Sequence, residues 1–400
     1  MGTDKREYRR THPWIDFRFD LRRIPAHVWT SLGIASADAE HIAQAMLKPE
    51  TGRRLHQLFL AKGALATTAI EGNTLDEEDA LRAVQGTLEL PESQRYLGQE
   101  IQNIIGAANE IKDSIMGSPD TPPRLSRQVI EHFNEEVLKD LPLDDKAVPG
   151  RIRTHSVVVA GYRAAPHQDC AYLLDRLCDW FNDSDLNADE PSRRVPYAIL
   201  KAIVAHLYVA WIHPFGDGNG RTARLLEVQI LLAAGLPVPA CHLLSNHYNL
   251  TRTEYYRQLE LSSRREDPVP FVEYAIQGLV DGLRDAIGTI RAQQFSDRWE
   301  QYVYETFGEL KTEVDRRRLR LVLDLTRHHE QTLEPVSKRD MRRLSPALSE
   351  AYARKTVKTL TRDLNAILAM GLLEIEEGGY VPRDWVILTF RPQRRDARPG

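Results

Sequence analysis

The chain has 400 residues, 42% hydrophobic and 28% charged, with 53 Lys and Arg against 57 Asp and Glu for a formal net charge of −4. That length exceeds one ordinary domain, the apolar fraction supplies sizeable cores, and the charge balance excludes a globally basic nucleic-acid coat or an acidic solvating tail. Three cysteines, Cys170, Cys178 and Cys241, are too few for a disulfide framework and lack paired metal-ligand spacing; with no apolar leader and no 18-residue uncharged apolar run, the expected setting is cytoplasmic and away from membranes.

Residues 1–13 read as a polar tail. Apolar residues at spacings of three and four then predict helices over 39–47, 55–70, 77–85 and 92–115. The run Gly-Ser-Pro-Asp-Thr-Pro-Pro at 117–123 predicts a break, and Ser126 caps a helix over 126–138. The one strand signal in the first 300 residues is Thr-His-Ser-Val-Val-Val-Ala at 154–160, which with Gly161 and Pro166 reads as a short hairpin. Helical periods return at 171–181, 196–212, 221–234, 252–262 and 270–293, followed by a long helix or linker at 292–312. The basic part of the chain comes next, with helices expected over 319–328, 338–344, 348–352 and 354–370. Strands are expected at 372–375 and 380–381, and a third at 386–390. Helices ending in a hairpin predict a winged helix.

One segment stands apart: His-Pro-Phe-Gly-Asp-Gly-Asn-Gly-Arg-Thr-Ala-Arg at 213–224. Pro214 ends the helix before it, three glycines give a tight turn with bare amides, and the next helix is expected to begin near Arg221. Unpaired N–H groups and the positive dipole end at that start form an anion site. Arg221 and Arg224, three apart, can turn both guanidinium forks to one anion. Asp217 among phosphate-seeking donors implies an intervening hard cation, Mg²⁺, and His213 can take a proton from a hydroxyl near neutral pH. The parts point to phosphoryl or nucleotidyl transfer. A P-loop is excluded, because the Gly-Lys-Ser/Thr spacing and a preceding strand are lacking.

This segment resembles the motif of Fic domain proteins, H-x-F-x-[D/E]-G-N-[G/K]-R-x-x-R, at every fixed position. The resemblance implies a mainly α Fic-type core with a small β-hairpin flap. It implies His213 as general base, Phe215 as core anchor and Asp217 on Mg²⁺. Gly218, Asn219, Gly220, Arg221, Thr222 and Arg224 would bind the nucleotide, with ATP as co-substrate. Gly220 stands where the phosphate-transferring Doc branch has Lys, which favours transfer of AMP. Thr67-Thr-Ala-Ile-Glu-Gly72 resembles the family's inhibitory pattern [S/T]-x-x-x-E-[G/N]; the inhibitory helix would lie near 62–72, with Glu71 pairing with Arg224. The ribbon 154–161 would be the flap, docking an extended segment of a target protein by strand addition, with Val157 and Val158 at the nucleotide. Tyr255 and Tyr256 would line the adenosine pocket, Tyr255 facing the base. His206 is expected to be a satisfied core histidine and Cys170 and Cys178 small buried residues.

The expected organisation is an N-terminal helical region 1–117, a Fic catalytic domain 118–295, a linker helix 296–310 and a winged helix 311–393. In the last, Val357, Leu360 and Leu364 form the expected buried seam, with Lys355, Lys358 and Arg362 on the opposite face. Two readings follow. The first is a protein adenylyltransferase held down by Glu71, whose site could also run in reverse as a de-AMPylase. The second is a regulator that contacts DNA through the winged helix and senses nucleotide through the Fic module. The oligomeric state stays open, with a homodimer among the alternatives.

Overall fold

The computed structural model describes residues 6–117, 124–159, 161–183, 186–187 and 190–388. Most of the expected break at 117–123, position 160 of the ribbon and positions 389–390 of the last expected strand lie outside them. The chain divides into two compact units, 1–290 and 291–400.

In the first unit the helices are α1 (Tyr8–Thr11), α2 (Ala26–Ala43), α3 (Pro49–Ile70), α4 (Glu77–Gln85), α5 (Arg95–Gly117) and α6 (Arg127–Leu138). The ribbon β1 (Val158–Val159) and β2 (Tyr162–Arg163) comes next, then α7 (His167–Asp183), α8 (Pro191–Ile212) and α9 (Asn219–Ala233). α10 (Val238–Cys241), α11 (Leu243–Leu250), α12 (Arg252–Arg265) and α13 (Val269–Phe307) follow, and the division between units falls within α13. Local chemistry sets the ends. Pro49 opens α3, Asp76 caps α4 through the Asp79 amide, and left-handed Gly86 closes it. Ser126 caps α6 through the Val129 amide, as the sequence predicts.

Two expectations change here. Residues 8–11 of the expected tail form a helical turn with Tyr8 and His12 buried: the Tyr8 amide donates to Asp169 Oδ2 (2.9 Å), and the His12 ring lies 2.8 Å from the Arg163 carbonyl. Among the described residues of the expected strand 154–160, Val158 and Val159 alone form strand pairs, against Arg163 and Tyr162. Both valines are exposed, so the apolar run has no core to enter.

α8 is long and apolar enough to cross a membrane by composition, but 78% of that stretch is buried. It is the central core helix and packs most extensively on α9. A second core, with Leu60, Ala64, Ile101, Ile104 and Phe133, joins α3, α5 and α6 to Leu225 of α9. Residues on either side of 118 therefore share one core, and that expected boundary does not separate compact units.

The second unit holds α14 (Glu313–Thr332), α15 (Pro346–Tyr352), α16 (Val357–Ala369) and the antiparallel hairpin β3 (Leu373–Glu376) and β4 (Gly379–Pro382), with Val336 bridging Tyr380 beside it. Its core gathers Trp299, Leu325, Tyr352, Leu364 and Leu373. The helix expected at 338–344 shrinks to one tight turn at Met341–Arg343, and Val386 lies in another turn, Asp384–Ile387, not a strand. Val357 opens α16 62% exposed, so the buried seam is Leu360, Leu364 and Ile367.

Candidate active site

α8 ends at Ile212 and α9 starts at Asn219, two residues earlier than expected, so the motif forms the turn between the two central helices. His213 caps α8 in the left-handed region (φ 49°), its amide on the Val209 carbonyl (2.8 Å). Phe215 is fully buried. Asn219 accepts from the Phe215 amide (2.9 Å) and donates to the Phe215 carbonyl (3.0 Å). Its side chain thus shapes the turn. Gly218 is left-handed (φ 75°), and a Cβ there would press on Asn134 and Leu138.

Asn134 of α6 was not legible as a site residue. Fully buried, it donates to the Asp217 carbonyl (2.9 Å) and Thr222 Oγ1 (3.3 Å) and accepts from the Gly150 amide. Thr222 is likewise fully buried, with its hydroxyl on Asn134.

The two arginines point to different partners. Arg224, 1% exposed, donates from Nε to Thr67 Oγ1 (2.6 Å) and from Nη2 to the Thr67 carbonyl (3.0 Å) and Glu71 Oε1 (2.6 Å). Arg221 donates to Glu100 Oε1 (3.0 Å) and Asp217 Oδ1 (3.4 Å). Arg224 Nη1 and Arg221 Nε are buried without an acceptor. A Cβ on Gly220 would collide with Glu71 Oε1 and lie 3.0 Å from Arg224 Nη1. The bare helix start, the orphan donor and the glutamate therefore share one space.

Glu71 terminates α3, and left-handed Gly72 (φ 109°) turns the chain away. Asn73 then donates to Glu100 Oε2 (2.9 Å), so Glu100, which no local pattern marks, links the exit of α3 to Arg221. Burial works to raise the Glu71 carboxyl, and the Arg224 guanidinium overrides it, so the group sits below the usual carboxylate range. Burial, aided by the Arg153 charge, pushes the His213 imidazole down to about 4, which leaves it neutral at pH 7.

Asp217 holds its own neighbour's amide (Gly218 N, 2.5 Å) with its side chain half exposed. Among the described residues no group of three His, Cys, Asp or Glu could hold a metal. Val158 projects from β1 into solvent, while the Val157 carbonyl accepts from the Ala164 amide. Tyr255 is enclosed by Tyr248, His206 and Phe271, and its hydroxyl lies 3.0 Å from His206 Nε2. Tyr255 is thus a core residue, while Tyr256 is 37% exposed with its hydroxyl on the Ile70 carbonyl. His206 is fully buried between Tyr255 and Glu227, and all three cysteines are free and buried.

Residues 124–231 match the model of the Fic/DOC family, and the chain carries a Fic domain there. Protein adenylyltransferase fic-1 of Caenorhabditis briggsae is 30% identical over 226 residues, 56% of this chain and 41% of that protein. Protein adenylyltransferase Fic of Drosophila mojavensis is 36% identical over 128 residues, 31% of this chain and 22% of that protein. The chain thus spans about two fifths of the first of these relatives and less of the second. Among solved structures, a Fic family protein from Desulfovibrio desulfuricans G20 covers 91% of this chain and is 97% covered, at a TM-score of 0.53 and 20% identity, a likeness of fold. Residues 134–508 of Fic-1 from C. elegans align at a TM-score of 0.53 and 25% identity, over 67% of this chain and 74% of that one.

Proposed function

We propose that this chain is a protein adenylyltransferase that moves AMP from ATP to a hydroxyl of a target protein or of itself, and that Glu71 holds it down. The observation that carries the reading is the pair of buried motif arginines, each with an N–H that no protein group accepts, beside the bare helix start at Gly220. Such donors in a desolvated pocket suit the phosphates of a nucleotide. The names of the relatives support the same reaction.

In this reading neutral His213 takes the proton of a Ser, Thr or Tyr hydroxyl. The oxygen bonds to the α-phosphorus, the bond from that phosphorus to the bridging oxygen breaks, and its electron pair leaves on pyrophosphate. Asp217, a half-exposed carboxylate beside the arginines, fits Mg²⁺ held jointly with phosphate oxygens. The ion would neutralise the charge that builds on the leaving group. Glu71 occupies the fork of Arg224 that would otherwise meet the terminal phosphate. The order of helices and hairpin in the second unit supports a winged helix.

The test is transfer of label from ATP carrying radioactive phosphorus at the α position. Glu71→Gly should raise labelling about tenfold or more, the factor that ~1.4 kcal/mol of restored transition-state stabilisation gives. Adding His213→Ala should abolish it. A Glu71→Gly chain with unchanged labelling and unchanged ATP affinity would overturn the inhibitory role, and labelling that survives His213→Ala would overturn the base.

A further inference from the structure

Three arginines are buried among the described residues, and two of them face carboxylates. Arg153 does not. Its hydrogen bonds all end on backbone carbonyls: Nε on His213 (2.7 Å), Nη2 on Ala165 (2.6 Å) and Ile212 (3.4 Å), and Nη1 on His155 (2.5 Å). Its own amide donates to the Pro214 carbonyl (2.9 Å), and Ile152 beside it bridges Phe215.

Two of these carbonyls are the open C-terminal acceptors of α8, where a helix carries partial negative charge, which is how a cation survives here without a counter-ion. The other two, His155 and Ala165, stand at the two stems of the ribbon β1–β2. One planar fork therefore grips both the left-handed turn that carries His213 and the base of the ribbon. A lysine could supply the charge but not the fork.

We propose that Arg153 is a positioning residue that fixes the register between His213 and the ribbon edge on which the target segment docks. This rests on the proposed reading of His213 as base and of the ribbon as target-binding edge. Arg153 also sets the field at the imidazole. The other groups that act on His213 are Glu71 and Asp217, of opposite sign, and the Ala210 backbone.

The test uses the full chain with Glu71→Gly, alone and combined with Arg153→Lys or Arg153→Gln. Self-labelling should fall about a hundredfold with Gln, the scale of a misplacement near one ångström. It should fall less with Lys, while ATP affinity by calorimetry stays within about twofold in both. The His213 ring, followed by NMR, should titrate higher with Gln and at its parent value with Lys, because only Gln removes the charge. Hydrogen exchange of residues 155–165 should quicken in both. Label loss matched by loss of ATP affinity, or parent labelling with unmoved His213 titration in the Gln chain, overturns the proposal. If the Gln chain does not fold, the Lys chain decides through labelling and exchange. If Glu71→Gly alone transfers no label, the functional reading fails instead, and titration and exchange still judge Arg153.

Discussion

Arg224 takes its three contacts from a single turn of α3: the Thr67 hydroxyl, the Thr67 carbonyl and the Glu71 carboxylate. Residues four apart lie on one helix face, so the Thr-x-x-x-Glu spacing presents a hydroxyl and a carboxylate to the same fork. Gly220 completes the arrangement, because its missing Cβ is the space that Glu71 and Arg224 Nη1 use. This makes the sign of a substitution depend on Glu71. Alanine is better than glycine inside a helix by about 1 kcal/mol. With Glu71 present the methyl must push the carboxylate off its arginine, so Gly220→Ala should destabilise the chain by about 1 kcal/mol net, the gain in propensity being outweighed by overpacking. With Glu71→Gly the closest obstacle is gone and only the end of the Arg224 side chain, 3.0 Å away, must give, so the same change should stabilise by about 0.5 kcal/mol. Urea unfolding of the four chains of this cycle measures the coupling; a change of the same sign in both backgrounds would mean that the two groups do not compete for space.

α3 is both part of the core and the carrier of Glu71, so the packing along it should tune the lock. Two turns upstream, Gly63 lies directly on His242, and a Cβ there would sit 2.5 Å from the His242 Cβ and Cγ. Gly63→Ala should therefore cost about 2 kcal/mol despite the better helix propensity, because neither a helix backbone nor a buried ring yields cheaply. It should also raise self-labelling as α3 lifts, and a stable chain with unchanged labelling would break the link between this contact and the lock. α4 and the body of α3 could be read from the sequence because their signals are local, an apolar period in each, whereas the start of α3 at Pro49 lies six residues before the expected 55. The short helix α1 could not, since Tyr8 and His12 find their partners near Asp169 and Arg163, far along the chain. The motif was legible for the same local reason, while its supports were not. Asn134, Glu100 and Arg153 meet it across 83, 121 and 60 residues, and nothing in their neighbourhoods marks them. Tyr255 shows the opposite limit: helical spacing tells which face a ring shares, and only packing tells whether core or ligand lies there.

At the scale of the molecule, the histidines buried in the first unit tie its stability to pH. His242 is fully enclosed, and burial, with the His56 charge adding, pushes its imidazole down to about 4; His213 is at about 4 as well. His12, His56 and His247 shift in the same direction, burial being the largest cause in each. In the unfolded chain these rings titrate near ~6.5, so below that pH the unfolded state binds protons that the native state refuses. Stability should therefore be level above about pH 6.5, fall as pH drops towards 4, and flatten only below the native values. For His242 alone the loss is on the order of 3 kcal/mol across that window, from about 1.4 kcal/mol per unit, a large part of the ~5–15 kcal/mol that holds a typical domain together. His242→Gln removes one titrating group without adding a charge. It should lower stability at pH 7 through imperfect packing, yet make the fall between pH 6.5 and 4.5 shallower than in the parent. Urea midpoints measured across that range decide the matter: parallel curves would show that His242 takes up its proton as readily in the folded chain as in the unfolded one, and that its burial against α3 carries no pH dependence.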